Sequence, residues 1–137
     1  MPDVVRDARA MLANMTPVLK TGEFVFCATL DADVIARAMP LALGSFKEEE
    51  SVTLILGRVD AAALGFTAAI PMRRIVLEVF SSLEGVGLTA AVASALAAEG
   101  IPCNMVAAFH HDHVFVPAEM AERALAVLSG VQKRARG

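Results

Sequence analysis

The pattern of apolar and polar positions predicts a helix and two strands in the first half of the chain. Apolar residues recur at spacings of one, three and four from Asp3 to Met15, which indicates an amphipathic helix ending before Pro17. The segment Phe24 to Leu30 alternates between two faces, as a strand does. The segment Val52 to Leu56 is continuously apolar, so we expect a central strand there.

The segment between these two strands carries turn signals and a proline. Asp31 to Asp33 indicates a turn, and Ala36 to Phe46 is predicted to be extended with an interruption at Pro40. Farther along, Asp60 to Leu64 predicts one helical turn that ends at Gly65.

The second half shows a more regular succession of elements. It predicts, in order, a strand at Arg74–Phe80, a helix at Leu83–Glu99, strands at Cys103–His110 and His113–Val116, and a helix at Ala118–Leu128. This β-α-β-β-α order lacks one strand of the ferredoxin-like fold, and the first half can supply it. We therefore predict an α+β protein with two closely packed subdomains.

Two short segments of the second half allow more detailed predictions. Only His111 and Asp112 separate the last two strands, so we expect a two-residue hairpin with His110 opposite His113 on one face. The basic segment Gln132 to Gly137 is predicted to be a frayed tail after the last helix.

Composition and charge exclude several classes of function. The 137 residues are 56% hydrophobic, which suits one compact domain or two small ones and argues against disorder. The net charge is -3 and every aromatic residue is Phe, so we expect no nucleic-acid partner. We find no signal peptide and no apolar helix long enough for a bilayer, so we expect no membrane partner and a cytoplasmic protein with reduced Cys27 and Cys103.

The three histidines cluster with an aspartate in residues 110–113. A metal site there would need a further ligand, and none stands at a diagnostic spacing, so we predict no metal and no cofactor. Ser81 or Cys103 could act as a nucleophile only with a base within hydrogen-bond distance. Because no local motif supplies that base, we predict no catalytic residue.

A glycine-containing stretch links the strand Arg74–Phe80 to the helix that follows. Its segment Gly85–Ala90 matches the spacing of a dinucleotide-binding fingerprint, but four residues separate it from the strand, so we reject that interpretation. Unpaired N–H groups at a helix N-terminus favour an anion, and an α-carboxylate could bind there with Glu84 or a partner acid taking an ammonium group. The alternative is that Ser82 only caps the helix and the glycines ease packing.

Several segments resemble a bacterial family of small ACT-domain proteins of uncharacterised function. They are Leu12–Leu19, Gly22–Cys27, Phe46–Glu50, Thr53–Leu56, Ile75–Glu78, Ser81–Glu84, Val86–Ala91, Ala98–Asn104 and His111–Pro117. The resemblance extends over nearly the whole chain. The second half is also similar, more distantly, to the ACT modules of aspartate kinases and of arginine sensors.

This resemblance implies two ACT-like subdomains of ferredoxin-like topology, at residues 1–70 and 71–137. It implies a regulatory homodimer without catalytic activity that binds a small ligand, commonly an amino acid, at an interface between units. The ligand-binding residues that it implies are Ser81, Ser82, Leu83, Glu84, Gly85, Val86, Gly87, Leu88, Cys103 and Asn104. The alternative is a protein-interaction subunit that regulates a partner enzyme without binding a ligand.

Overall fold

The computed structural model describes residues 9–67, 70–78 and 87–137. Its helices are α1 (residues 9–14), α2 (Ala32–Ala38), α3 (Arg58–Ala63), α4 (Leu88–Ala98) and α5 (Ala121–Arg136). Its strands are β1 (Thr16–Leu19), β2 (Phe24–Thr29), β3 (Gly44–Lys47), β4 (Val52–Gly57), β5 (Met72–Glu78), β6 (Asn104–Ala107) and β7 (Asp112–Pro117). None of the described helices combines the length and the apolar character that crossing a membrane requires.

The chain divides into two compact units that do not follow its linear order. One unit, here called the composite unit, comprises Met1–Lys20 and Arg73–Gly137. The other, the inserted unit, comprises Thr21–Met72. The division at residue 70 that the resemblance implies stays a prediction, and by compactness residues 9–20 belong with the C-terminal segment.

The composite unit has the ferredoxin-like order of strands. Its strands lie in the order β1-β5-β7-β6, and β1 pairs antiparallel with β5 from Thr16 opposite Glu78 to Leu19 opposite Ile75. Helix α5 packs on β1, on β7 and on α4. Strand β1 thus occupies the place of the missing fourth strand, which confirms that the first half of the chain supplies it.

The core of the composite unit joins residues from both ends of the chain. Met15, which lies between α1 and β1, is fully buried with the apolar side chains of β5, α4, β7 and α5. The fully buried residues around it include Ile75, Leu77, Val92, Leu96, Val114, Val116 and Leu128. Burial of this apolar surface holds the N-terminal segment to the C-terminal one.

The inserted unit repeats the β-α-β-β-α order. Its strands lie in the order β3-β4-β2, and β4 is central, as its continuous apolar sequence predicted. The first residue of β5, Met72, pairs with Phe24 at the other edge of β2. Helix α2 packs on β4, and α3 packs on both β2 and β4. Together the two units confirm the predicted α+β fold.

Helix α2 and the turn after it replace the first part of the segment Ala36 to Phe46, which the sequence predicted to be extended, and its end forms β3. The Oδ1 atom of Asp31 accepts hydrogen bonds from the backbone N–H groups of Asp33 at 2.9 Å and Val34 at 3.2 Å. Asp31 is therefore an N-cap and not a turn residue. Pro40 lies in a short 3-10 turn that ends the helix, so only the segment after it is extended.

The last helix is longer than the sequence predicted. Helix α5 continues through Lys133, Arg134 and Arg136, where a frayed tail was expected. The Nε atom of Arg136 donates a hydrogen bond to the carbonyl oxygen of Ala13 at 2.8 Å. Basic side chains in a last turn also suit the negative end of the helix dipole. Both interactions hold these residues in the helix.

Candidate functional site

The first part of the predicted ligand site lies where α4 begins. Of its residues, Ser81, Ser82, Leu83, Glu84, Gly85 and Val86 lie outside the described residues. Gly87 is the N-cap of α4 with a φ of 99°, a left-handed conformation that glycine adopts without steric cost. Leu88 is buried in the core of the composite unit, so it positions the helix rather than facing a ligand with its side chain.

Backbone amides are among the polar groups that the described residues offer at this end of α4. The first turn of the helix contains no acidic residue, and Gly87 has no side chain with which to cap it. The first N–H groups of a helix have no partner within it, and the helix dipole adds a partial positive charge there. This arrangement suits a carboxylate.

Cys103 and Asn104 lie beyond the other end of α4. The helix ends at Ala98 with Glu99 as its C-cap, and the backbone N–H of Ile101 donates to the carbonyl oxygen of Leu96, so the chain folds over that end before β6 begins. Eleven residues at 1.5 Å each make α4 about 16 Å long. Within one chain, the structure therefore does not bring Asn104 next to Gly87.

The two residues at the start of β6 differ in environment. Asn104 is exposed, and its amide can reach a ligand or a neighbouring molecule. Burial raises the pKa of the half-buried Cys103 thiol, and the same effect raises the pKa of Cys27. A raised pKa lowers the thiolate fraction, which makes either cysteine a poor nucleophile.

The histidine cluster is arranged differently from the prediction. His113 pairs with Val106, and Ala107 pairs with Asp112, so the hairpin loop has four residues, 108–111. His110 lies in that loop, with its ring edge-on to Phe109 at 5.0 Å between centroids. The predicted two-residue turn and the pairing of His110 with His113 are both wrong, because β6 ends at Ala107.

His113 has a cationic neighbour within the composite unit. Its Nδ1 atom lies 3.3 Å from a terminal nitrogen of the Arg74 guanidinium. Burial lowers the pKa of His113, the charges of Arg74 and His111 lower it further, and Asp112 opposes them. In the described part of the chain, His, Cys, Asp and Glu form no group of three or more that could hold a metal ion.

A cleft in the inserted unit is a feature that sequence reasoning missed. This cleft, here called the α3 cleft, has a volume of about 710 Å³. Its lining residues are Gly22, Glu23, Phe24, Gly57, Arg58, Val59, Asp60 and Ala62. The local sequence signal of the cleft is a glycine followed by a charged residue at two places, Gly22-Glu23 and Gly57-Arg58. Neither pair by itself indicates a site.

Strand register is what brings the two sides of the α3 cleft together. Phe24 at the start of β2 pairs with Gly57 at the end of β4, so the residues just outside both strands meet. The backbone N–H of Arg58 donates to the Glu23 carbonyl oxygen at 2.9 Å. Their side chains form an ion pair at 2.7 Å.

Comparison with known proteins agrees with the fold. Two ACT-domain family models match the chain, one over residues 5–73 and the other over residues 71–130. The chain belongs to the ACT-domain family. Each ACT match contains one β-α-β-β-α series, although β1, within the first match, belongs to the composite unit.

A solved structure is similar to this ACT protein over almost its full length. It is VC0802, a protein of unknown function from Vibrio cholerae, which is 35% identical. The alignment covers 94% of this chain and 98% of VC0802, with a TM-score of 0.84. No curated protein matches the chain significantly.

Aspartate kinases share the fold at much lower identity. The ligand-free regulatory subunit of aspartate kinase from Thermus thermophilus is 12% identical, covers 84% of this chain and 95% of its own, and has a TM-score of 0.62. Escherichia coli aspartokinase III, in complex with aspartate and ADP, is 17% identical, covers 84% of this chain and 32% of its own, and has a TM-score of 0.60. These likenesses show a common fold and nothing about the ligand.

Proposed function

We propose that this ACT protein is a non-catalytic regulator that binds a small molecule of the amino-acid class. The observation that carries the proposal is that the two ACT-domain matches together account for residues 5–130. The fold likeness to a regulatory subunit of aspartate kinase and to an aspartokinase in complex with aspartate makes amino acids the first ligand class to test. A cytoplasmic location with free thiols is part of the same proposal.

The proposed ligand site is the N-terminal end of α4, with the segment Ser81–Leu88 around the ligand. The amides of the first turn would bind the carboxylate, because they are the positive end of an 11-residue helix without an acidic first turn. Asn104 lies at the opposite end of α4 in the same chain. The proposal therefore requires a second copy to bring its Asn104 and Cys103 to this site.

A homodimer would meet that requirement. Strand β6 begins at Asn104, and among the described strands it pairs only with β7. Its other edge presents unpaired backbone groups to which a second copy can add. Closed two-fold assemblies are the commonest among homo-oligomers.

The non-catalytic part of the proposal is supported by the groups near Cys103. Burial raises the pKa of that thiol, whereas an activated cysteine needs a lowered one. The His113 Nδ1 atom faces the Arg74 guanidinium at 3.3 Å, so that nitrogen does not serve a nucleophile. A regulator acts instead by binding one conformer or assembly more tightly than another.

A thermal-shift screen of amino acids and nucleotides tests the proposed function. Ligand that binds only the native state stabilises it by about 2.7 kcal/mol at one hundred times its Kd, so we expect one amino acid to raise the Tm. Asn104→Ala should abolish the rise caused by a ligand bound at the end of α4 and leave the Tm of the free protein unchanged, because the side chain is exposed.

The matched control is Ser45→Ala, which removes an exposed polar side chain from β3 in the inserted unit. It should keep the full ligand-induced rise in Tm. A panel without any rise at millimolar concentrations, or equal rises in the Asn104→Ala variant and the wild type, would contradict the proposed ligand site.

Exposed apolar residues favour a second candidate function, a subunit that regulates a partner enzyme by contact. In the inserted unit, Leu30 is 76% exposed, Phe46 is 70% exposed and Ile70 is 70% exposed. Large exposed apolar side chains are typical of protein interaction sites when they cluster. An enzyme that co-purifies from the native cell with the wild type but not with Phe46→Ser would support this function, and a homodimer recovered alone would contradict it.

A further inference from the structure

The α3 cleft has the size and the apolar floor of a small-molecule site. Its volume of about 710 Å³ lies within the range of about 300–1,000 Å³ that is typical of ligand pockets. Phe24, Val59 and Ala62 contribute apolar surface to it, and Val59 is 82% exposed although it is β-branched and apolar. A ligand with an apolar group would cover surface that now faces water.

The Arg58 guanidinium lies at the cleft and has more N–H donors than its ion pair uses. Arg58 uses one terminal nitrogen for the Glu23 carboxylate at 2.7 Å, and its side chain remains 62% exposed. A guanidinium carries five N–H donors in a planar fork. Among the described residues, Glu23 is the ion-pair partner of Arg58, so the remaining donors can bind a second carboxylate, that of a ligand.

A second carboxylate in the lining gives the cleft a net negative charge. Asp60 lies in the first turn of α3, and its Oδ2 atom would be 3.7 Å from a Cβ atom added to Gly57. Within the part of the chain that the structure describes, Asp60 has no ion pair. Glu23 and Asp60 each carry one negative charge and Arg58 one positive charge, so the lining has a net charge of about -1 near neutral pH.

We propose that the α3 cleft binds a small zwitterion with an apolar side chain, that is, an aliphatic α-amino acid. Its carboxylate takes the free donors of Arg58, its ammonium group takes Asp60, and its side chain covers Phe24, Val59 and Ala62. This site lies within the inserted unit, whereas the end of α4 belongs to the composite unit. The proposed α3 site does not rest on the proposed function, because the charged residues of the cleft support it by themselves.

The net charge of the lining decides between ligand classes. A carboxylic acid without an amine would add negative charge beside Glu23 and Asp60, which opposes binding. An amine without a carboxylate would leave the free donors of Arg58 unused. Only a ligand with both groups pairs every charged group of the lining.

NMR titration of the full chain with leucine, 3-methylbutylamine and 4-methylpentanoate tests the proposal. We expect leucine to bind most tightly and the acid most weakly, with amide shift changes at Gly22–Phe24 and Gly57–Ala62. Shift changes confined to Gly87–Thr89 and Asn104 would support the proposed function and overturn the α3 site. The absence of changes at Gly57–Ala62 at millimolar leucine would also overturn it.

Charge variants test the role of Asp60. Asp60→Asn should weaken leucine binding by at least about tenfold, since a hydrogen bond between charged groups is lost. The matched control is Asp33→Asn, which alters an aspartate in the first turn of α2 that pairs with Arg37 outside the cleft. Equal leucine affinity in Asp60→Asn and the wild type would show that the cleft does not bind the ammonium group.

Filling the cleft gives a test that does not depend on charge. Ala62 and Ala63 are both exposed and adjacent on α3, but only Ala62 lines the cleft. Leucine is a good helix former, so Ala62→Leu and Ala63→Leu should both fold. We expect Ala62→Leu to abolish leucine binding and Ala63→Leu to retain it, and equal effects of the two would contradict the proposal.

Discussion

At the scale of single residues, neighbouring charge and burial set the behaviour of the ionisable groups. His113 is half-buried beside the Arg74 guanidinium, and both conditions disfavour its protonated form. Cys27 and Cys103 are affected by burial alone, which disfavours the thiolate. These environments are typical of groups with a structural role, whereas the charged groups of the α3 cleft remain accessible to a ligand.

The lowered pKa of His113 predicts a loss of stability in acid. The unfolded chain, with a pKa near 6.5, binds the proton more readily than the folded protein. The contribution of His113 to the free energy of unfolding is therefore complete above pH 6.5. It is lost as the pH falls from there through the pKa of the folded protein. We expect His113→Gln to lose less free energy of unfolding than the wild type between neutral pH and pH 5.5, as measured by urea denaturation.

The control for this prediction is His110→Gln, which changes an exposed histidine of the hairpin loop. It should follow the wild-type dependence of stability on pH. An identical dependence in His113→Gln and the wild type would show that His113 does not link folding to protons.

At the scale of elements, the ends of α2 and α4 are formed in different ways. Asp31 caps α2 with its carboxylate, and Asp33 and Arg37 then form an ion pair at 3.3 Å along the helix. Helix α4 has Gly87 as its N-cap, which offers no side chain to the first-turn amides. The first arrangement stabilises a short helix, and the second is at the end of α4 where the proposed ligand would bind.

The capping of α2 predicts a measurable cost for its removal. Asp31→Ala should reduce the free energy of unfolding by about 1 kcal/mol, because two backbone N–H groups lose their acceptor. Asp31→Ser should retain most of the stability, since a serine hydroxyl can accept the same hydrogen bonds. Urea denaturation measures both changes.

Asp33→Ala is the matched control, because Asp33 pairs with Arg37 at the surface and caps nothing. An exposed pair of this kind contributes about 0.5 kcal/mol or less. A cost for Asp33→Ala equal to that for Asp31→Ala would contradict the assignment of Asp31 as the N-cap.

At the scale of the whole molecule, the compact units do not correspond to consecutive halves of the chain. The ACT-domain matches divide the chain near residue 72, but β1 pairs with β5 and so belongs to the unit formed by the C-terminal half. Met15 is the residue that shows this most directly. It is fully buried in a core whose other buried members lie more than fifty residues away along the chain.

Native-state hydrogen exchange can show whether the chain is stabilised as the two compact units or as two consecutive halves. Met15→Ala should lower the protection of β5, β7 and α5 more than that of β2 and β4, with a loss of about 2–5 kcal/mol in the composite unit. Met39→Ala, at a residue that is 43% exposed in the inserted unit, is the control and should change neither. A larger loss of protection in residues 21–72 than in residues 73–137 would favour the linear division.

The sequence by itself determined the types of most elements and the fold class. The continuous apolar run of β4 and the β-α-β-β-α order of the second half are local patterns, and both are present in the structure. Local patterns suffice there because side-chain periodicity follows directly from backbone geometry. Helix α2 was mispredicted because the capping role of Asp31 resembles a turn signal in a single sequence.

Only the tertiary structure decided the pairings between distant segments. The place of β1 beside β5, the four-residue loop before Asp112 and the α3 cleft at Glu23 and Arg58 all depend on which strands pair and in what register. Register is set by the packing of whole faces against a core, and no short segment contains that information. The separation of Gly87 and Asn104, which lie at opposite ends of α4 within one chain, also became evident only in the structure.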